Sequence, residues 1–160
     1  MDRFLDISLT VNGEAVSARV EARTHLVDFL REGLDLTGSH AGCEHGVCGA
    51  CSLIVDGAMV RGCLMLAVQA QGSEVWTVEG LTETGAISAI QDAFVARNAL
   101  QCGFCTPGML VAAATLLKQN PSPTREEIRE GISGNYCRCT GYQAIVDAIE
   151  TAATVMRESA

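Results

Sequence analysis

Eight cysteines stand in two groups of four along this 160-residue chain. Cys43, Cys48, Cys51 and Cys63 occupy the first half, Cys102, Cys105, Cys137 and Cys139 the second, and none lies between the groups. No other feature restricts the fold as much. Thiols at such short spacing cross-link, bind metal or exchange electrons, and each use requires loops that bring the sulfurs together. The Met-Asp-Arg-Phe start carries no basic stretch followed by an apolar one, and no twin arginine precedes an apolar run. No secretory address is read, and a cytoplasmic location is expected. Thiols stay reduced in that compartment, which favours metal over disulfides.

The first group is spaced C-x4-C-x2-C, with Cys63 a short strand pair further on, as in plant-type [2Fe-2S] sites. A flat two-iron, two-sulfide core needs four thiolates pointing inward. Gly42, Gly46, Gly49 and Ala50 leave little side chain between backbone N–H groups and the sulfurs, and such hydrogen bonds stabilise the reduced, more negative state. Four thiolates equally suit tetrahedral zinc, which stays open as an alternative. The second group consists of two pairs, Cys102-Gly-Phe-Cys105 and Cys137-Arg-Cys139. Thr106-Pro107-Gly108 reads as a helix start, and Thr140 with Gln143 as a capping box opening another helix, so two positive helix N-termini are expected to face these cysteines. Zinc and a redox-active dithiol remain alternatives here, although the βαβ context expected of the dithiol is lacking. His25, His40 and His45 read as structural or surface groups rather than ligands.

The pattern of apolar residues divides the chain at the same place. Leu5, Ile7, Leu9 and Val11 alternate with polar residues, and Asn12-Gly13 leads into Val16, Ala18 and Val20, which predicts a hairpin. Thr24 is expected to cap a helix over about 25–34 that carries Leu26, Phe29, Leu30 and Leu34. Residues 38–51 show no period and suit a cofactor loop. Ser52–Val55 and Met59–Cys63 flank the turn signal Asp56-Gly57, Val75–Val78 reads as a last strand, and Gly80 closes this half. Beyond it the period becomes helical. Ile87, Ile90, Phe94 and Val95 mark one helix, Met109–Leu117 a buried one, and Thr124 with Glu127 caps a third. Ile145, Val146, Ile149, Ala153 and Met156 share the face of a fourth. The expectation is an α+β protein with domains over 1–80 and 81–160, the second built from four helices between 85 and 158.

A formal net charge of -8 argues against nucleic acid. The chain is 48% hydrophobic and only 19% charged, yet no apolar run approaches the roughly 20 residues of a membrane span. Neither nucleic acid nor membrane insertion is expected, and part of the apolar surface is expected to be hidden against a partner. No Gly-rich nucleotide loop and no supported catalytic triad is present, so the chain offers no place for a substrate. Trp76 and the Met109 stripe read as packing.

Three segments, Gly42-Cys-Glu-His-Gly-Val-Cys-Gly-Ala-Cys51, Gln101-Cys-Gly-Phe-Cys-Thr-Pro-Gly108 and Gly134-Asn-Tyr-Cys-Arg-Cys-Thr-Gly-Tyr142, resemble the small iron–sulfur subunit of molybdenum hydroxylases. This family includes xanthine dehydrogenase, aldehyde oxidoreductase and carbon monoxide dehydrogenase, and the resemblance runs over about 4–156. It implies two [2Fe-2S] clusters, in an N-terminal β-grasp plant-type ferredoxin domain and a C-terminal four-helix bundle. Cys43, Cys48, Cys51 and Cys63 would hold the cluster distal to molybdenum, and Cys102, Cys105, Cys137 and Cys139 the proximal one. Gln101 matches a glutamine that hydrogen-bonds the pterin, and Cys139 a cysteine whose sulfur approaches the pterin amine.

The resemblance further implies a large molybdopterin subunit and a medium FAD subunit, joined in a heterotrimer or a dimer of heterotrimers. In such a complex this chain is a non-catalytic oxidoreductase subunit that passes single electrons from molybdenum to flavin. Glu44-His45-Gly46-Val47 departs from the Gly-Glu-Gly type loop of several relatives, and Ser52 stands where threonine is frequent; neither change removes a ligand. The competing readings are an autonomous ferredoxin shuttle and a zinc-stabilised interaction protein.

Overall fold

The structure is a computed structural model that describes residues 3–159. The Met1-Asp2 start used to read a cellular address therefore lies outside the described residues. β1 (Phe4–Val11) and β2 (Glu14–Glu21) form the expected antiparallel hairpin, in a register that sets Leu9 opposite Val16. Asn12 and Gly13 both take positive φ, as a tight hairpin turn of matching twist requires. Ile7, Leu9 and Val11 are buried, whereas Leu5 at the open end is exposed.

The following helix is shorter and more widely wound than its apolar spacing suggests. α1 (Leu26–Asp28) passes directly into a π turn over Phe29–Gly33, burying Leu26, Val27, Phe29 and Leu30. Thr24 does not cap it. His25 is the N-cap residue and makes no side-chain cap bond, while the Thr24 carbonyl accepts the Ala67 N–H at 2.8 Å.

β3 (Ser52–Val55), β4 (Ala58–Arg61) and β5 (Glu74–Trp76) complete a five-stranded sheet in the order β2-β1-β5-β3-β4, with β1 and β5 parallel. Ile7, Leu9, Val11, Leu53 and Val75 pack beneath Leu26, Phe29 and Leu30. The strand expected over Val75–Val78 stops at Trp76, because Val78 begins α2 (Val78–Glu83). Gly80 lies inside that helix, which crosses the expected boundary at 80/81. The Asn12 side chain explains the crossing: its Oδ1 accepts the Thr77 N–H at 2.9 Å and its Nδ2 donates to Thr77 Oγ1 at 3.0 Å. The first hairpin turn thus pins the entry to the helical half.

That half contains α3 (Ser88–Ala96), α4 (Thr106–Gln119), α5 (Arg125–Gly131) and α6 (Gln143–Glu158). Phe94, Met109, Val111, Ile128, Ile145 and Ile149 lie in its core. Val95, expected on the buried face of α3, is 70% exposed, and Met156 sits at the edge rather than within the core. The Thr124 capping box forms: Glu127 N–H donates to Thr124 Oγ1 at 3.3 Å, and Thr124 N–H donates to Glu127 Oε2 at 2.6 Å. Arg125 then ties α5 to α6 through Asp147 at 2.6 Å and Glu150 at 2.5 Å. The Thr140 box does not form. α6 starts behind Tyr142, which takes φ 69° at the N-cap, so this helix N-terminus is set back from Cys139. No helix among the described residues is long and apolar enough to cross a membrane.

Candidate metal centres

The loop between the π turn and β3 folds around the Cys43 sulfur. Glu44, Gly46 and Gly49 take positive φ, and a Cβ on Gly46 would overlap the Leu64 side chain. This winding turns amides inward. Cys48 N–H donates to Cys43 Sγ at 3.3 Å, and together with the His45 amide it lowers the Cys43 pKa to about 6. Cys51 and Cys63 are each 2% exposed and pack with Val27. Burial, followed by the neighbouring Cys51 thiol, pushes Cys63 up to about 11, although the Gly46 amide opposes the shift. The first group therefore arrives as two pairs, Cys43 with Cys48 and Cys51 with Cys63.

The second group is paired in the same way. Cys102 Sγ and Cys139 Sγ lie 3.6 Å apart, and Cys105 faces Cys137. Cys105 is the N-cap of α4, whose Pro107 stands in the first turn, as the Thr-Pro-Gly signal predicts. Burial, then the Cys137 thiol, pushes Cys105 up to about 12. Burial also works against ionisation of Cys137, but the Thr140 hydroxyl at 3.1 Å and the Thr140 amide at 3.4 Å outweigh it and lower its pKa. Thr140 has thus given up a helix cap to serve a sulfur. Cys102 and Cys139 are exposed, and beside them Gln101 Nε2 donates to the Cys139 carbonyl at 3.1 Å.

No set of three or more His, Cys, Asp or Glu side chains among the described residues closes around one point as a single metal ion requires. The histidines are engaged elsewhere. His45 Nδ1 lies 2.5 Å from the Cys43 carbonyl oxygen, His40 Nδ1 lies 2.7 Å from the Phe104 carbonyl oxygen, and His25 faces Asp28 at 3.9 Å. A groove of about 710 Å³ lined by Ile54, Trp76, Leu81, Ile90 and Lys118 contains no cysteine. Exposed apolar side chains flank the cysteines in the chain instead: Val47 and Leu64 in the first half, Leu100, Phe104 and Tyr136 in the second, with Phe104 stacked on His40 of the first loop.

One set of residues that the sequence reading passes over joins the two loops. Asn135, 2% exposed, donates from Nδ2 to the Gly49 carbonyl at 3.0 Å, and Tyr136 N–H donates to the Cys48 carbonyl at 2.8 Å. Single polar residues so far apart in the chain leave no periodic signal.

Residues 9–77 match the family described as "2Fe-2S iron-sulfur cluster binding domain", and residues 77–150 match "[2Fe-2S] binding domain". The chain is 54% identical over 145 residues to the nicotine 6-hydroxylase small subunit of Paenarthrobacter nicotinovorans, covering 91% of this chain and 87% of that one. It is 55% identical over 148 residues to caffeine dehydrogenase subunit gamma of Pseudomonas sp. (strain CBB1), covering 91% and 89%. A solved structure of quinoline 2-oxidoreductase from Pseudomonas putida 86 superposes with a TM-score of 0.92 at 51% identity, over 98% of both chains.

The chain belongs to the small iron–sulfur subunits of molybdenum hydroxylases. Aldehyde oxidoreductase from Desulfovibrio gigas also matches, with a TM-score of 0.88 and 40% identity, covering 98% of this chain but 18% of that one. This chain is therefore similar to one part of a much longer polypeptide there. As a small iron–sulfur subunit, the chain has the α+β fold, with one [2Fe-2S]-binding match centred on the sheet and the other on the helices.

Proposed function

We propose that Cys43, Cys48, Cys51 and Cys63 hold one [2Fe-2S] cluster, and that Cys102, Cys105, Cys137 and Cys139 hold a second. The chain then passes single electrons from a molybdopterin centre on a large subunit to FAD on a medium subunit, within a cytoplasmic heterotrimer or dimer of heterotrimers. Residues 1–80 and 81–160 act as its two cluster-bearing units. The observation that carries this reading is the arrival of each group as two sulfur pairs, because a two-iron core takes two thiolates per iron. Bound clusters supply two one-electron redox sites.

The chain itself orients and insulates these sites. The Cys48 and His45 amides favour charge on Cys43, and the Thr140 hydroxyl and amide do the same for Cys137. Burial of Cys51 and Cys63 excludes water from one side of the first site, and Cys105 is half-buried at the second. Cys102 and Cys139 remain exposed, which makes their rim the side to meet the pterin. Gln101 spends one N–H on the Cys139 carbonyl and keeps its amide oxygen and other N–H for the pterin edge.

The test is iron and acid-labile sulfide analysis of the purified complex. About four of each per copy of this chain are expected, with a red-brown colour. A colourless protein containing zinc, or about two irons per chain, contradicts the reading.

A further inference from the structure

Arg61, the last residue of β4, is the cation that crosses between the two cysteine loops. Its Nη1 donates to Ser52 Oγ, next to Cys51, and its Nη2 donates to the Gly134 carbonyl at 2.7 Å and reaches Asn135 Oδ1 at 3.5 Å. Ser52 is buried, and its hydroxyl donates to the Gly49 carbonyl at 2.6 Å while accepting Asn135 Nδ2 at 3.2 Å. One half-buried guanidinium thus holds residues 49–52 of the first loop against residues 134–135 of the second. Directly beside this clamp the Tyr136 N–H meets the Cys48 carbonyl at 2.8 Å. Cys48 and Cys137 are separated by that hydrogen bond and one residue of chain.

The charge of Arg61 is equally informative. A guanidinium is always ionised, and burying it without an anion is costly. Among the described residues the ion pairs engage Arg3, Arg23, His25, Arg125 and Arg129, while every partner of Arg61 is a neutral oxygen. Cys51 precedes Ser52, Cys63 lies two residues after Arg61, and Cys137 lies two residues after Asn135. No carboxylate among the described residues pairs with Arg61, and cysteines of both groups stand within two residues of it or of its partners in the chain.

We propose that Arg61 is the positioning residue for electron exchange between the two sites. It holds the Cys48 carbonyl on the Tyr136 amide as the conducting contact, and its positive charge favours the reduced state on both sides. The inference rests on the two-cluster reading above. One electron leaves one site and enters the other; no bond is made or broken, and no proton moves. The bonded route matters because tunnelling falls off more steeply across a gap than along bonds. Charge matters because a nearby cation in a low-dielectric site stabilises an added electron.

The experiment compares the wild-type complex with Arg61→Gln and Arg61→Lys, each first shown to hold about four irons per chain. Redox titration followed by electron spin resonance is expected to show both sites of Arg61→Gln about tenfold harder to reduce, a shift of about 59 mV. Arg61→Lys retains the charge but not the planar fork. Its reduction equilibria stay within about threefold of wild type, while the spin–spin splitting between the two dithionite-reduced sites changes. A purely structural role would move both variants alike. Unchanged equilibria and splitting in iron-complete Arg61→Gln overturn the proposal. Should neither variant retain iron, the wild type decides: two reduced sites with no detectable mutual splitting refute the contact. A wild type short of iron refutes the two-cluster reading itself.

Discussion

Replacing Cys137 by alanine lowers the iron content of the purified complex from about four to about two per chain, with a matching loss of labile sulfide. Cys137 is the best-supported sulfur of the helical half: it receives the Thr140 hydroxyl and amide and faces the half-buried Cys105 thiol. Its removal leaves Cys105, already pushed up to about 12, without the partner proposed to share an iron with it. The Thr140 hydroxyl loses its acceptor, and the segment 136–142 loses its proposed metal link to Cys105 at the start of α4, keeping that of Cys139 to Cys102. Metal binding and folding are coupled in such loops, so the thermal midpoint of the helical half also falls. The first site shares no sulfur with the second and keeps its iron. Retention of all the iron by Cys137→Ala would place the second cluster on other ligands.

Gly108→Ala destabilises the protein although it improves the intrinsic preference of α4. In an open helix the change gains up to about 1 kcal/mol. Here Gly108 lies in the first turn of α4, and a Cβ on it would overlap the Gly49 carbonyl oxygen while lying 3.3 Å from Ala50 Cα. Those obstacles are backbone of the first cysteine loop, which is itself fixed by Asn135 and Ser52. Overpacking of this kind costs about 1–3 kcal/mol and exceeds the propensity gain. Expressed as a midpoint, each kcal/mol lost corresponds to a fall of about 2–4 °C at this chain length. Calorimetry of the purified complex measures it. A rise in stability would show that α4 does not approach the loop this closely.

Gly108 also illustrates what can be read from a sequence of this kind. Gly108 is legible as part of a helix start, because proline and glycine after Cys105 carry a local signal. Its close approach to Gly49 is not legible, since it depends on how two distant segments pack. Ile7, Leu9 and Val11 announce their hairpin through a period of two that burial enforces. Thr124 and Thr140 carry equivalent capping patterns, yet only the first caps. The Thr140 hydroxyl has a competing acceptor in the Cys137 sulfur, and Tyr142 takes the N-cap instead. Val95 fits a helical stripe but points to solvent, because a short helix packed on one side buries fewer positions than its apolar residues suggest. The first cysteine group announces a candidate site through its spacing, whereas the two pairs of the second are weaker on spacing and gain their meaning from the resemblance. Arg61 and Asn135 are not, because lone polar residues carry no period and their meeting across the two halves is a product of the fold.

The order of electron flow through the two halves is tested most directly in the complex carrying Cys48→Ser, after loss of the first cluster has been verified. Substrate is mixed in, samples are frozen rapidly, and molybdenum, cluster and flavin signals are followed by spin resonance. The expected result is reduction of molybdenum and of the site formed by Cys102, Cys105, Cys137 and Cys139, with the flavin left oxidised. Flavin reduced as fast as in the wild type would contradict the account, since electrons would then reach it without passing the sheet half of this chain.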